Sequence, residues 1–258
     1  MGLKRSVRKK NSLPPCERLA WDSEFFGVET ARVRGDWLTG ARVKAIDECC
    51  ERGKVAWLYF LGRGDDAETT RCAEAGGFGL VDVRVTYERA IGGEIAADAE
   101  IRRYEEADLP GLLKIARTSY VDSRFYYDRH ISRKKCNELF ETWTKRCCEK
   151  SAERVLVATP GDRRVVKSGG AAVGYVTMDF DAQQMGWGTI GLIGVTEKAR
   201  GAGVGERLVK GALRWAASEG LAGMTVVTQG RNIAAQRLYQ RCGFIIRSLQ
   251  LYYHKWYE

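Results

Sequence analysis

Apolar and polar residues recur along the chain with two periods, one typical of strands and one typical of helices. Short apolar or alternating runs predict strands at residues 55–61, 81–87, 155–158, 171–178, 190–195 and 224–228. Apolar residues at helical spacing predict helices at residues 41–52, 67–75, 112–118, 136–148, 206–220 and 232–242. The aromatic-rich segment 19–33 predicts a further strand that anchors its rings in a core. We therefore expect strands and helices to alternate.

A glycine-rich turn joins one predicted strand to the helix after it. Strand 190–195 is followed by Arg200 and then by Gly201, Gly203 and Gly205. These glycines let backbone N–H groups approach an anion, and the helix N-terminus and Arg200 add positive charge. The unit is predicted to hold a pyrophosphate, with a plain tight turn as the alternative. Because no Lys-Ser or Lys-Thr follows and the turn itself does not read G-x-G-x-x-G, a nucleoside-triphosphate P-loop and the dinucleotide fingerprint are excluded for this turn.

A second strand–helix unit follows directly, and the two units together resemble a known site. The matching residues, in order, are Arg200, Gly203, Gly205, Asn232, Ala235, Tyr239, Gly243 and Phe244. In this order and spacing they resemble the acetyl-coenzyme A (acetyl-CoA) site of the GNAT acyltransferase superfamily. The resemblance implies an α/β (α+β) fold with a mixed central sheet flanked by helices. It also implies acetyl-CoA as the acyl donor and no metal.

The same resemblance implies which residues bind the donor. By their match to the superfamily they are Ile193, Gly194, Val195, Arg200, Gly201, Ala202, Gly203, Val204, Gly205, Asn232, Ala235 and Tyr239. The backbone N–H of Val195 is expected to face the thioester carbonyl. Tyr239 is expected to donate a proton to the departing thiolate, because a phenol with a pKa of about 10 is protonated at neutral pH. From residue types alone, Tyr239 could instead fill a core and Asn232 could be a helix N-cap.

Three further segments narrow the resemblance to one branch of the superfamily. They are Trp21-Asp22-Ser23 with Phe25-Phe26-Gly27, Ser123-Arg124-Phe125, and Leu139-Phe140 with Trp143. They resemble the branch that contains TDP-fucosamine acetyltransferase, which acetylates the amine of a nucleotide-linked deoxyamino sugar. The resemblance implies a primary-amine acceptor of this class, attacked in a ternary complex, although Arg129-His130-Ile131 departs from the branch and leaves the sugar open. Arg124, Tyr126 and Tyr127 are candidate acceptor contacts, with Arg124 on a phosphate.

Two other functions stay open, as does the general base. A protein N-terminal acetyltransferase of the ribosomal-protein type would share the donor site, and a non-catalytic CoA- or nucleotide-binding protein would exploit the positive charge. No carboxylate lies within residues 189–195, the strand that the resemblance places beside the pantetheine arm. The base candidates are Asp179, Asp181, Glu197 and His130, with a water relay as an equal alternative.

A faint repeat suggests the domain organisation. Gly77-Phe78 followed by Tyr87 matches Gly243-Phe244 followed by Tyr253. We interpret residues 1–91 as a degenerate partial copy of the acyltransferase fold, one that lacks the glycine-rich turn and should not bind CoA. The predicted division is a basic tail at 1–18, a small α/β domain at 19–91, and the acyltransferase domain at 94–258, with the boundary at Gly92-Gly93.

Composition and charge further limit which cofactors and partners the protein can have. The 258 residues include 8 cysteines but no C-x-x-C and only 2 histidines, which argues against a zinc site. The net charge of +9 suits an anionic partner such as CoA or a nucleotide-linked acceptor, and no nucleic acid is expected. No apolar run suits a membrane span and no secretory signal is evident. We therefore expect a cytoplasmic protein without a membrane partner, and a homodimer is compatible with the sequence.

Overall fold

The computed structural model describes residues 14–93, 95–160 and 172–257. Its seven α-helices are α1 (Ala20–Phe26), α2 (Gly40–Arg52), α3 (Ala67–Ala75), α4 (Leu109–Ser119), α5 (Arg133–Lys150), α6 (Val204–Ser218) and α7 (Ile233–Arg241). Its ten strands are β1 (Cys16–Arg18), β2 (Thr30–Val33), β3 (Trp57–Arg63), β4 (Gly79–Ala90), β5 (Ile101–Arg103), β6 (Val155–Ala158), β7 (Gly174–Phe180), β8 (Trp187–Val195), β9 (Gly223–Gln229) and β10 (Ile245–Trp256).

The chain forms two compact units, whose division differs from the predicted one. The first contains the described residues up to Leu80 together with those from Leu251 onward, and the second is Val81–Gln250. The glycines at 92 and 93 lie just beyond β4, whose residues pair with β9 from Arg84 to Ala90. Gly92 and Gly93 therefore follow a strand that already belongs to the second unit, so that unit begins before these glycines.

The second unit is built on a mixed sheet with helices on both faces. Its strand order is β10-β4-β9-β8-β7-β6-β5, with β8 and β9 parallel and the pairs from β5 to β8 antiparallel. On β7, Val176 belongs to the core that contains α6, whereas the hydroxyl of its neighbour Tyr175 is 2.7 Å from that of Thr144 on α5. Successive strand residues point to opposite faces, so α5 and α6 flank the sheet on different sides. The predicted sheet is confirmed.

The first unit has its own core and corrects two predictions. Its strand order is β1-β2-β3 followed by the end of β10, and β2 pairs with β3 in parallel. Cys16–Arg18, assigned to the tail, form β1 and pair antiparallel with β2, while residues 1–13 lie outside the described residues. The predicted strand at 19–33 begins as a helix, because Trp21 stacks on Phe25 one turn later. Gly27 ends that helix at φ 74°, in the left-handed region.

The repeated Gly-Phe pair occupies equivalent places in the chain. In the first case, β3 and α3 precede Gly77-Phe78, and β4 follows. In the second case, β9 and α7 precede Gly243-Phe244, and β10 follows. Gly77 and Gly243 have φ of 77° and 78°, a conformation that favours glycine after a helix. That residues 1–91 are a degenerate copy stays a prediction.

The described residues contain neither a membrane-spanning helix nor a cluster of metal-binding side chains. No helix there is both long enough and apolar enough to cross a bilayer. Nor does that part of the chain bring together three or more His, Cys, Asp or Glu side chains in a group that could hold a metal ion.

Candidate active site

A cleft of about 560 Å³ lies beside the end of β8. Strands β8 and β9 pair only from Trp187 to Ile190 and from Gly223 to Val226, so β8 continues without β9 as a partner over residues 191–195. The last three residues of β8, the turn before α6 and the start of α7 line the cleft. Because β9 does not pair with the end of β8, part of the β8 backbone is available to a ligand.

The cleft gathers all but two of the residues predicted to bind the donor. Those that line it are Ile193, Gly194, Val195, Arg200, Gly201, Gly203, Val204, Gly205, Asn232 and Ala235. Ala202 and Tyr239 are not among the lining residues. Sequence reasoning missed Ser119, Val121 and Asp122, which no motif connects to the glycine-rich turn. It also missed Arg241, which lies three residues after Leu238 and therefore on the same face of α7 as that lining residue.

The glycine-rich turn has the geometry that an anion site needs. Gly201 and Gly203 have φ of 80° and 77°, and a Cβ added to either would meet nothing within 4 Å. Gly205 instead lies close to α7, because its Cβ would come within 3.1 Å of Leu238. The first N–H groups of α6 have no partner within the helix and carry its positive end. A pyrophosphate therefore fits this turn, without side chains in its way.

A hydrogen bond just after β8 fixes the direction of the Val195 backbone. The N–H of Thr196 donates to the carbonyl oxygen of Val173 at 2.8 Å. Because N–H groups alternate between the two edges of a strand, the N–H of Val195 points away from β7. The carbonyl of Val195 accepts from Nε of Arg200 at 3.3 Å. Arg200 is thereby held at the end of β8, next to the glycine-rich turn.

Two residues of α7 have distinct surroundings. The side chain of Asn232 accepts from the N–H of Ala235 at 3.0 Å, so it is the N-cap of α7 as well as a lining residue. Tyr239 is 2% exposed and packs near the rings of Tyr87 and Phe244. Burial raises the pKa of Tyr239 well above its usual range, which keeps the phenol protonated at neutral pH.

Buried hydroxyls form a chain close to Tyr239. The hydroxyl of Tyr175 lies 2.9 Å from that of Tyr120 and 2.7 Å from that of Thr144. Burial raises the pKa of Tyr120 well above 10, and negative charge on Tyr175 or Tyr239 would raise it further.

The predicted acceptor contacts do not line the cleft. The Arg124 guanidinium lies 4.1 Å from the Phe125 ring centre, and the Tyr126 hydroxyl is hydrogen-bonded to the side-chain amide of Asn137 at 2.6 Å. Burial raises the pKa of Tyr126 to about 12. Tyr127 is 55% exposed, and the guanidinium of Arg231 lies 3.6 Å over its ring. Arg231 immediately precedes Asn232, which connects this aromatic residue to the start of α7.

The predicted base candidates also lie outside the cleft lining. Asp179 forms an ion pair with Arg154, and Asp181 accepts from the hydroxyl of Thr225 at 2.7 Å. Nδ1 of His130 lies 2.9 Å from Asp128, and Glu197 belongs to a short 3₁₀ helix that precedes the glycine-rich turn. The carboxylates that line the cleft are Asp122 and Glu206.

Asp82 is a buried carboxyl group that sequence reasoning missed. It is 5% exposed, and burial raises its pKa to about 6. The positive charge of Arg231, whose Nη2 lies 3.9 Å away, opposes this shift, as does the N–H of Val83 at 2.8 Å. Arg124 also opposes the shift, whereas the negative charge of Asp122 adds to it. The cost of burying the charge outweighs these attractions.

We expect Asp82→Asn to stabilise the protein at neutral pH. The native pKa of Asp82, about 6, exceeds the value of about 3.9 in an unfolded chain. The stabilising contribution of Asp82 to the free energy of unfolding is therefore complete below pH 4. It is lost as the pH rises through 6. Asparagine does not ionise and so avoids that loss. The free energy of unfolding should therefore increase by an amount on the order of 2 kcal/mol at pH 7.5, and by less toward pH 4.5. Thermal unfolding at both pH values tests this, and a pH-independent difference would contradict it.

The chain is similar in sequence to known proteins. The sequence model of the Acetyltransferase (GNAT) family matches residues 120–244. Spore coat polysaccharide biosynthesis protein SpsD of Bacillus subtilis is 28% identical over 153 residues, which are 59% of this chain and 49% of that protein. The match therefore spans about half the length of SpsD. The dTDP-fucosamine acetyltransferase of Escherichia coli O6:H1 is 25% identical over 252 residues, 90% of this chain and 94% of that protein.

The fold has solved counterparts. A GCN5-related N-acetyltransferase from Sphaerobacter thermophilus superposes with a TM-score of 0.64 at 17% identity, covering 93% of this chain and 76% of that one. This likeness concerns the fold alone, and with the family match it confirms the superfamily recognised from the glycine-rich turn and the α7 residues. Residues 120–244 are therefore an acetyltransferase domain of the GNAT family.

Proposed function

We propose that this chain transfers an acetyl group from acetyl-CoA to the primary amine of a nucleotide-linked deoxyamino sugar. The observation that carries the proposal is the cleft at the end of β8, where unpaired strand backbone, left-handed glycines and the N-terminus of α6 meet. GNAT-family enzymes use acetyl-CoA as the donor, and the lining residues suit its anionic and extended parts.

The donor would be held by groups with separate roles. The N–H groups at Gly201–Gly205 and the side chain of Arg200 would bind the pyrophosphate, and residues 193–195 would lie along the pantetheine arm. The amine nitrogen forms a bond to the acyl carbon while the carbon–sulfur bond breaks. The leaving thiolate takes the phenolic proton of Tyr239, and the ammonium proton leaves to a base that the lining residues do not single out.

Three observations support the choice of acceptor. The relative that matches 90% of this chain is named a dTDP-fucosamine acetyltransferase, and the other is named for spore coat polysaccharide biosynthesis. The net charge of +9 suits a diphosphate-bearing ligand. Arg231 stacked on the exposed ring of Tyr127 combines a cation with an aromatic surface, a pairing that suits nucleotides.

The test is an amine screen with detection of the released thiol. Nucleotide-linked 4-aminosugars should be acetylated, with the free amino sugars as matched controls that lack the nucleotide. Acetylation of alanine- or serine-starting peptides, with none of amino sugars, would select a protein N-terminal acetyltransferase instead. Tight CoA binding without turnover of any amine would contradict the enzymatic proposal.

A further inference from the structure

One hydroxyl group in the cleft has no hydrogen-bond partner. Ser119 is the last residue of α4, and its Oγ is shielded from solvent yet unpaired among the described residues. The hydroxyl of its neighbour Thr118 reaches the carbonyl of Ile115 at 3.4 Å, as is common near helix ends. A shielded hydroxyl without a partner is unfavourable, so such a group calls for a ligand or water that satisfies it.

The unpaired hydroxyl faces the backbone of β8. A Cβ added to Gly194 would lie 3.2 Å from Oγ of Ser119, 2.9 Å from Cγ2 of Ile115 and 3.1 Å from Cε1 of Tyr175. Gly194 therefore has no room for a side chain, and Ser119 lies against the strand one residue before Val195. The surroundings of the hydroxyl are largely apolar, which strengthens any hydrogen bond that it makes.

Three other polar groups of the site already have hydrogen-bond partners. The hydroxyls of Tyr120 and Tyr175 pair with each other, and Oδ1 of Asn232 caps α7. Of the described residues that line the cleft, only Ser119 carries a hydroxyl. A ligand that lies along residues 193–195 would thus meet one available hydroxyl donor on this wall.

We propose that Oγ–H of Ser119 donates a hydrogen bond to the carbonyl oxygen of the donor's acyl group. This inference rests on the proposed function, which puts the thioester beside the end of β8. When the amine attacks, that oxygen gains negative charge, and a fixed donor in a site shielded from water stabilises it. Ser119 keeps its proton throughout, so its role is separate from the proton transfer assigned to Tyr239.

The proposal predicts that Ser119→Ala distinguishes acylated from free CoA. Calorimetry should show unchanged affinity for CoA, while affinity for acetyl-CoA falls about two- to tenfold, the worth of one hydrogen bond. With saturating substrates kcat should fall at least tenfold, toward the roughly 10²–10³-fold loss usual for an oxyanion donor. Thr118→Ala, which removes the adjacent hydroxyl outside the cleft lining, should leave all three quantities within about twofold.

Other results would overturn the assignment. Equal losses for CoA and acetyl-CoA, with a lower melting temperature, would make Ser119 a structural hydroxyl. No change in any quantity would show that water satisfies it. A wild-type chain that binds both ligands but acetylates no amine would contradict the proposed function, while the binding comparison would still decide the contact with the acyl group.

Discussion

Replacing Tyr239 by phenylalanine is expected to lower kcat by about 10²–10⁴-fold, the range usual for a positioned general acid. The phenol is buried and its pKa is raised, so it carries its proton when the reaction begins and can donate it to the thiolate. Phenylalanine keeps the ring contacts with Tyr87 and Phe244. Acetyl-CoA affinity and melting temperature should therefore barely change. Measuring kcat, affinity and thermal unfolding on one preparation tests these expectations together.

A matched control is available beside Tyr239. Tyr87 is fully buried, and its hydroxyl bonds Oε1 of Gln236 at 3.2 Å. Tyr87→Phe removes a phenol that has the same burial and no assigned role in the reaction, so kcat should stay near its normal value. If Tyr239→Phe lowered kcat less than threefold while chemistry limited the rate, Tyr239 would be a packing residue only.

Gly203→Val is expected to weaken acetyl-CoA binding at least tenfold, roughly 1.4 kcal/mol. The Cβ of residue 203 points into open space beside the cleft, where the pyrophosphate is proposed to approach. A valine there would also strain the backbone, since φ is 77° at the N-cap of α6. Calorimetry measures the affinity, and thermal unfolding measures the strain separately.

Gly220→Val separates these two effects. Gly220 follows α6, has φ of 68°, and a Cβ there would also meet nothing within 4 Å. It does not line the cleft. We expect a comparable loss of stability, about 1–2 kcal/mol, with normal acetyl-CoA affinity. If Gly203→Val kept normal affinity in a folded protein, the glycine-rich turn would not hold the pyrophosphate.

Periodicity located most elements because local spacing determines which face of an element is apolar. Helix α3 has the predicted bounds, and α2 begins one residue earlier than predicted. Helix α4 begins at Leu109, three residues before the predicted start at 112, because Pro110 suits the first turn of a helix. The segment at 19–33 was misread because tryptophan and phenylalanine favour strands, while the spacing of Trp21 and Phe25 suits a helix.

The unit boundary was harder to predict because glycine pairs mark the ends of strands as well as of domains. β4 pairs with β9, which is more than a hundred residues away along the chain, so Arg84–Ala90 belong to the second unit although they precede Gly92-Gly93. Only strand pairing decides such membership, and pairing between distant segments leaves little trace in a single sequence.

By itself the sequence determined the family and the glycine-rich turn, because both depend on residues close together in the chain. Within that turn, Gly201 and Gly203 supply the positive φ angles, which glycine adopts without steric cost. The tertiary structure decided which distant residues join the site. Ser119 faces Gly194 only because α4 packs beside β8, and Asp82 meets Arg231 only because β4 pairs with β9. The burial that keeps Tyr239 protonated likewise depends on residues far from α7, such as Tyr87, and burial of this kind arises only when the whole unit packs.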